Sequence, residues 1–562
     1  MDKSQNVGGV CPFFCCTFEK NAVSLRRKYN MCMRILLIYV LVALSAAANA
    51  QVVLPRRIQN TTAQDAAEAE STSAVRSLKT VGSTATAPLP CMGSPKVPVV
   101  LVQFRNKKFT VADTEAGVVE IYNRFFNAGE GVQPGTAGSE SACSVKDYFR
   151  QQSGGQFTPE FTIIGPVTLS DDYEYYGKNN SAGNDVNINA FYSEACRLAV
   201  ENFSVDWTAF DNKNNGRVGF VFFIYAGEGE NNTWDAEKSN YDPNNIWPKE
   251  GSSSKTVSYE GNSVTFGAYG CTSELYLDTQ DGIGVTVHEL GHGLGLPDMY
   301  DVYYSSYNLF GMDIWDVMDS GCYTMLGRWP CNMTAYERDF MGWYPLETLD
   351  PDQAYTLELK SLSDHGKCYK LPNKESANEY LILENRQNKG LDTYMGYADA
   401  GYYNANGANH GLMVTHVDYN SSSWTSNTVN TSRNHQRMTI VPADGELISN
   451  IAEGFTPEHA KSIHGDLYPG EKNVTELTSY AAFTGEKFSF TVDNIRETAD
   501  GTILVDINGG DPSVGIRLTA DSPVLSEVVE VYSPSGLLLS SPQKGLNIVR
   551  TADGKVQKVY VK

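Results

Sequence analysis

Eleven residues near the middle of the chain, HELGHGLGLPD from His288 to Asp298, leave few local folds open. His288 and His292 are four residues apart, so on an α-helix they stand ~40° apart on one face, one turn from each other. Both imidazoles can then reach one zinc ion at ~2.0–2.1 Å. Glu289 falls ~100° around the helix, beside the ion and not on it, where a carboxylate can take a proton from water. Pro297 cannot continue a helix interior, and Gly295 permits a positive φ, so the chain has to leave the helix and turn back. That turn swings Asp298 toward the ion as a third ligand and leaves a position for water. Asp301 follows on the same turn and competes for the third place. The spacing therefore predicts a metal site of His288, His292 and Asp298, with Glu289 as general base and acid.

The surrounding chain reads as mixed structure. VPVVLVQF (97–104) and VGFVFFIYAGEGE (218–230) are continuous apolar runs, hence buried strands. Ser144 caps a helix, SVKDYFRQQ, which Gly154-Gly155 ends. Over 187–203, Ile188, Phe191, Ala195, Leu198 and Phe203 fall near one helical face. Strands mixed with long helices predict an α/β or α+β domain over 96–345. Beyond Pro345 the texture changes to short strands separated by turn residues: YTLELKSL, YLILENRQ, GLMVTHVDY, RMTIVPA, KFSFTVDNI and TILVDI. These predict an all-β sandwich over 346–510, followed by a small β module over 511–562.

The first fifty residues carry a different message. Arg26, Arg27, Lys28 and Arg34 precede ILLIYVLVALSAAANA, with small residues at Ala48 and Ala50. This is a secretory signal over 1–50, cut before Gln51, and not a membrane anchor. No later run reaches ~18 uninterrupted apolar residues, so no transmembrane segment is expected after signal removal. Residues 51–95, rich in Ala, Thr and Ser, read as a pro-segment or linker with processing points at Arg56-Arg57 and Arg76. The formal charge of −22 repels phosphate backbones and argues against nucleic acid as a partner. Seven cysteines remain beyond the signal, an odd number, so at least one thiol stays unpaired. Cys322 and Cys331 could close a short loop around Trp329, a pairing that sequence alone leaves open.

Two further landmarks lie downstream of the histidines. FGMDIWDVMDSGCY puts Met318 in a tight turn between Asp316 and Gly321, a soft floor for a metal site. Tyr323 can donate a hydrogen bond to an oxyanion.

With these residues in view, HELGHGLGLPDMYD, WDVMDSG and AYERDFMGW resemble the immune inhibitor A-type secreted metallopeptidases of the metzincin clan. KVPVVLVQF, SVKDYFRQQSGGQF, FIYAGEGE, IWP (246–248), EYLILENRQ and GLMVTHVDYN look like landmarks of the same family, and the likeness spans about 95–490. The resemblance implies an α+β, metzincin-like catalytic domain and one catalytic zinc ion. His288, His292 and Asp298 would be its ligands, Glu289 the base and Met318 the methionine of the turn. DNKNNGRVG (211–219) resembles an acidic calcium loop, but Lys213 and Gly219 stand where carboxylates are expected, which weakens a Ca2+ site there. The C-terminal VYSPSGLLLSSPQKGLNIVRTADGKVQKVYVK looks like the secretion-sorting domains of Bacteroidetes-type bacteria, which implies secretion machinery as a partner.

Taken together, the sequence predicts a secreted or cell-surface zinc endopeptidase acting on protein and peptide substrates. An exopeptidase would need a pocket for a terminal charge, and none is identifiable. The alternative of another class is a secreted binding or adhesion protein with a vestigial metal site. Cys91, between the pro-segment and the catalytic domain, adds a regulatory idea: its thiolate could occupy the open zinc position and hold the enzyme latent.

Overall fold

The structure is a computed structural model that describes residues 83–232, 242–305, 309–395, 410–450, 457–477, 480–483, 485, 487–510, 516–517, 528–551 and 556–561. The expected signal, Arg56-Arg57 and Arg76 lie outside these residues.

The first sheet runs in the order β2-β1-β3-β5-β4. Its strands are β1 (Lys96–Gln103), β2 (Glu160–Thr168), β3 (Val218–Glu228), β4 (Lys249–Tyr259) and β5 (Asn262–Tyr276), with the short β6 (Thr279–Gln280) paired antiparallel to β5. β2, β1, β3 and β5 are parallel, and β4 closes the edge antiparallel to β5. The continuous apolar runs have a simple cause: both faces of the sheet are covered. Phe220, Phe222 and Ile224 of β3 enter one core, whereas Val221, Phe223 and Tyr225 enter the other. β1 divides the same way, with Val97, Val99 and Leu101 on one side and Val100 and Val102 on the opposite side.

Helix Ile188–Asn202 fills the second core with Phe191, Tyr192, Ala195, Cys196 and Ala199. Helices Glu115–Asn127 and Val145–Ser153 lie in the first, together with the histidine-bearing helix Ile283–Gly293. Helix Val145–Ser153 starts where Ser144 Oγ accepts the Asp147 amide and stops at Gly154 in the left-handed region. Of the two arrangements left open by the sequence, the described residues take the one with helices on both faces of a mostly parallel sheet. Packed chain begins before Lys96: Ala87 and Leu89 are fully buried, so the stretch read as linker up to residue 95 is part of the core at its C-terminal end.

Beyond residue 345 the chain is β-rich. One sheet comprises β7 (Glu347–Thr348), β9 (Tyr369–Asn373), β10 (Ser376–Arg386), β11 (Gly411–Asp418) and β12 (Met438–Ile440). Another comprises β8 (Tyr355–Leu359), β13 (Val492–Glu497) and β14 (Ile503–Ile507). Leu381, Leu383, Leu412 and Val414 of the first share a core with Leu357, Val492, Ile503 and Val505 of the second. A separate sheet comprises the strands Ile516–Arg517, Val528–Tyr532, Leu538–Leu539, Gly545–Thr551 and Val556–Val561.

The β-rich region is tied to the histidine side by buried polar contacts. Arg386 of β10 forms ion pairs with Asp392 (3.0 Å) and Glu384 (3.1 Å) and donates to the Trp315 carbonyl. Trp315 Nε1 donates to Asp466, and Asp313 accepts from Asn450 and His459.

Candidate metal centre

Every residue of helix Ile283–Gly293 is buried, which removes solvated histidines as a reading of the motif. The helix ends as its sequence demands. Gly295 has φ +101°, and a β-carbon there would lie 2.7 Å from the Ser83 carbonyl oxygen. Only glycine meets both conditions. The segment that approaches so closely is the one holding Ala87 and Leu89; the Leu89 amide donates to the Gly293 carbonyl at 3.0 Å.

After the bend, Asp298 Oδ1 lies 3.2 Å from His288 Nε2 and 3.1 Å from His292 Nε2. The other ring nitrogens are committed. His288 Nδ1 is 2.9 Å from the Val317 carbonyl, and His292 Nδ1 is 2.7 Å from the Leu296 carbonyl. A carbonyl only accepts, so each Nδ1 carries a proton and each Nε2 offers its lone pair to the space shared with Asp298. Two ligands held at ~2.0–2.1 Å by one tetrahedral ion stand about 3.3 Å apart, close to the separations seen here. Burial pushes His288 toward its neutral form, but the hydrogen bond to Asp298 and the charges of Glu289 and Asp298 outweigh it and raise the pKa.

Glu289 completes the constellation. Its carboxylate, His288 and His292 offer ligand atoms within 4.8 Å of one another. Its Oε2 is buried and has no hydrogen-bond partner among the described residues. The residues thus fit a divalent ion. The Asp301 carboxylate closes its own turn, accepting from the Tyr303 and Ser305 amides and from Ser305 Oγ at 2.5 Å.

Met318 sits under the helix. Asp316 Oδ1 accepts the Met318 amide at 2.7 Å, and the Asp316 carbonyl accepts from Asp319 and Gly321, which makes the turn tight. A β-carbon on Gly291 would lie 2.5 Å from Met318 Sδ, so the sulfur packs directly on the helix backbone between the histidines. The same turn supplies the Val317 carbonyl that orients His288.

A cleft opens on His288 and Glu289. Asn231, Trp247, Pro248, Tyr300, Tyr304 and Tyr323 line it. Burial holds the Tyr323 and Tyr300 phenols well above their ordinary range, so both are neutral donors. Tyr323 was legible as a candidate; Tyr300 and Tyr304, in a chain with 32 tyrosines, carried no distinguishing signal.

Two ideas raised by the sequence, both concerning cysteines, do not hold. Cys322 and Cys331 are buried free thiols and do not close a loop. Cys91 does not cap the metal position: its thiol lies 3.5 Å from the Met341 carbonyl, and its own carbonyl accepts from Trp343 Nε1. The loop 211–219 closes on itself. Both Asp211 oxygens accept backbone amides, from Asn215 and Gly216, and Lys213 Nζ donates to the Ala87 carbonyl.

One contact to Asp298 was invisible in sequence. Asn427, from the β-rich region, accepts the Asp298 amide on Oδ1 at 2.7 Å and donates from Nδ2 to Asp298 Oδ2 at 2.6 Å.

Residues 93–343 match the family described as Immune inhibitor A peptidase M6, catalytic domain. Immune inhibitor A of Bacillus thuringiensis subsp. alesti is 26% identical over 283 residues, covering 44% of this chain and 39% of that protein. Pre-pro-metalloprotease PrtV of Vibrio cholerae serotype O1 is 22% identical over 223 residues, covering 36% of this chain and 24% of the relative. The chain therefore spans well under half the length of these curated relatives.

Proposed function

We propose that a chain carrying a peptidase M6 catalytic domain over residues 93–343 acts as a secreted zinc endopeptidase on protein substrates. The observation that carries this reading is the convergence of Asp298 Oδ1 on two lone-pair-bearing imidazole nitrogens, at 3.2 and 3.1 Å. In this reading His288, His292 and Asp298 hold the ion. When bound, zinc supplies a Lewis acid for a peptide carbonyl and brings the pKa of water on it toward ~7.

The protein's own groups do the rest. Val317 and Leu296 carbonyls fix the two imidazoles in the ligating tautomer. Glu289 takes a proton from the attacking water and passes it to the leaving amine; its buried place beside the two imidazoles suits both steps. Tyr323, with Tyr300 as its neighbour in the cleft, donates a hydrogen bond to the carbonyl oxygen as charge builds on it. Asp319 and Ser320 shape the cleft floor, and the aromatic lining suits a peptide's side chains.

The β-rich sheets over 346–510 serve as a sandwich supporting this site, and the module over 511–562 as a sorting domain for export. The signal-like first fifty residues support an extracellular location, and no helix among the described residues is long and apolar enough to cross a membrane. A binding protein with a vestigial centre is disfavoured by the intact ligand geometry. The test is chelator-sensitive cleavage of casein by the purified protein, restored by zinc and abolished in Glu289→Ala. Cleavage that persists in Glu289→Ala would refute the assignment.

A further inference from the structure

Asp298 reaches the two imidazoles from a loop, not from a helix or strand, so something must hold its carboxylate. Its backbone amide and its Oδ2 are both gripped by one side chain, Asn427, at 2.7 and 2.6 Å. That two-point contact fixes the carboxylate's rotation and leaves Oδ1 facing His288 and His292. Asn427 comes from the other half of the molecule, 129 residues along the chain.

Its own placement is rigid. The short helix Ser421–Thr425 is capped by Asn420, whose Oδ1 accepts the Ser423 amide. Trp424 is fully buried and packs on Tyr336 and Tyr419 at ring-centroid distances of 6.1 and 5.0 Å. The chain then turns through Asn427 at φ +58°, a backbone that asparagine adopts more readily than most residues. Three residues later, Asn430 Nδ2 donates to the Met299 carbonyl at 2.7 Å and accepts the Met438 amide on Oδ1. Two asparagines thus clamp consecutive residues of the metal-side loop onto the β-rich region.

We propose that Asn427 is a positioning residue for the third metal ligand, so that the β-rich region completes the metal site and does not merely carry it. This rests on the zinc reading above. An outer contact of this kind raises affinity because the ligand is already oriented before the ion arrives, and its loss typically weakens binding by roughly 10–100-fold.

The experiment is a zinc titration of the folded, metal-free full-length protein against a competing chelator, comparing wild type with Asn427→Gly and Asn427→Asp. Glycine tolerates the left-handed backbone while deleting the amide; aspartate keeps the backbone preference and the acceptor but loses the donor. Circular dichroism confirms that each metal-free variant is folded. The expected result is a rise in zinc Kd of roughly 10–100-fold for both variants. Wild-type zinc affinity in either folded variant would overturn the proposal, even if its thermal midpoint falls, because a merely structural contact lowers stability without touching affinity. A wild-type protein that takes up no zinc would instead remove the underlying functional reading.

Discussion

Replacing Gly295 by alanine tests the bend on which the metal site depends. At φ +101° a non-glycine residue costs about 1–3 kcal/mol in backbone strain. The added methyl would also lie 2.7 Å from the Ser83 carbonyl oxygen and 3.2 Å from Ala87 Cβ. Ser83 is backbone in a packed segment, not the free end of a side chain, so relief requires the segment or the bend to shift. Overpacking of that kind costs about 1–3 kcal/mol, which brings the total to about 2–6 kcal/mol. Gly216→Ala supplies the comparison, since Gly216 has φ +78° and nothing within 4 Å of its would-be β-carbon. It should pay the backbone strain alone. The assay is denaturant unfolding followed by tryptophan fluorescence, with zinc content measured on the same samples. Gly295→Ala should unfold at clearly lower denaturant than Gly216→Ala and lose zinc. Equal midpoints with full zinc occupancy in both would show that the close approach to Ser83 is not what shapes the bend.

Glu289→Gln should retain zinc while its turnover of casein falls by roughly 10²–10⁴-fold, since the ligands stay and only proton transfer is lost; loss of zinc would reassign Glu289 as a ligand. Tyr323→Phe should lower kcat by roughly 10²-fold with little change in KM, and the same effect from Tyr300→Phe in its place would move the donor role to Tyr300. Burial raises Asp281 to about 8 and Glu228 to about 7, each above its ordinary carboxylate range. The folded protein then binds more protons than the unfolded chain, so stability should fall as pH rises from about 4 to about 8, and Asp281→Asn should flatten that slope in thermal melts across the range; an unchanged slope would refute the assignment. Because Cys322 and Cys331 are free, a reducing agent should leave the thermal midpoint where it is, and a fall would mean that a disulfide contributes.

What the sequence revealed and what it hid divide along physical lines. The helix, the glycine bend and the methionine turn are local: His288, His292, Gly295 and Asp298 carry their geometry in their spacing, whereas the separate turn closed by the Asp301 carboxylate shows only in its hydrogen bonds. The buried strands were legible because both faces are covered, which makes the runs wholly apolar. Strand β9 was not, because Pro372 interrupts it; the strand tolerates proline there because β7 pairs with it only at Tyr369 and Lys370, leaving its outer edge open at residue 372. KFSFTVDNI promised a longer strand than the one seen, which starts at Val492, although Phe488 and Phe490 are still buried in the shared core. Asn427 had no local signature at all, because its meaning lies in a contact between distant parts of the chain. The thiols could not be paired from spacing, since bridging depends on positions that only the fold sets.

X-ray absorption at the zinc edge of the zinc-loaded full-length protein tests the central claim most directly. The account predicts a first shell of nitrogen and oxygen only, at ~2.0–2.1 Å, with the multiple-scattering signature of two imidazoles. A sulfur ligand at ~2.3 Å, or a shell with one imidazole or none, would contradict it.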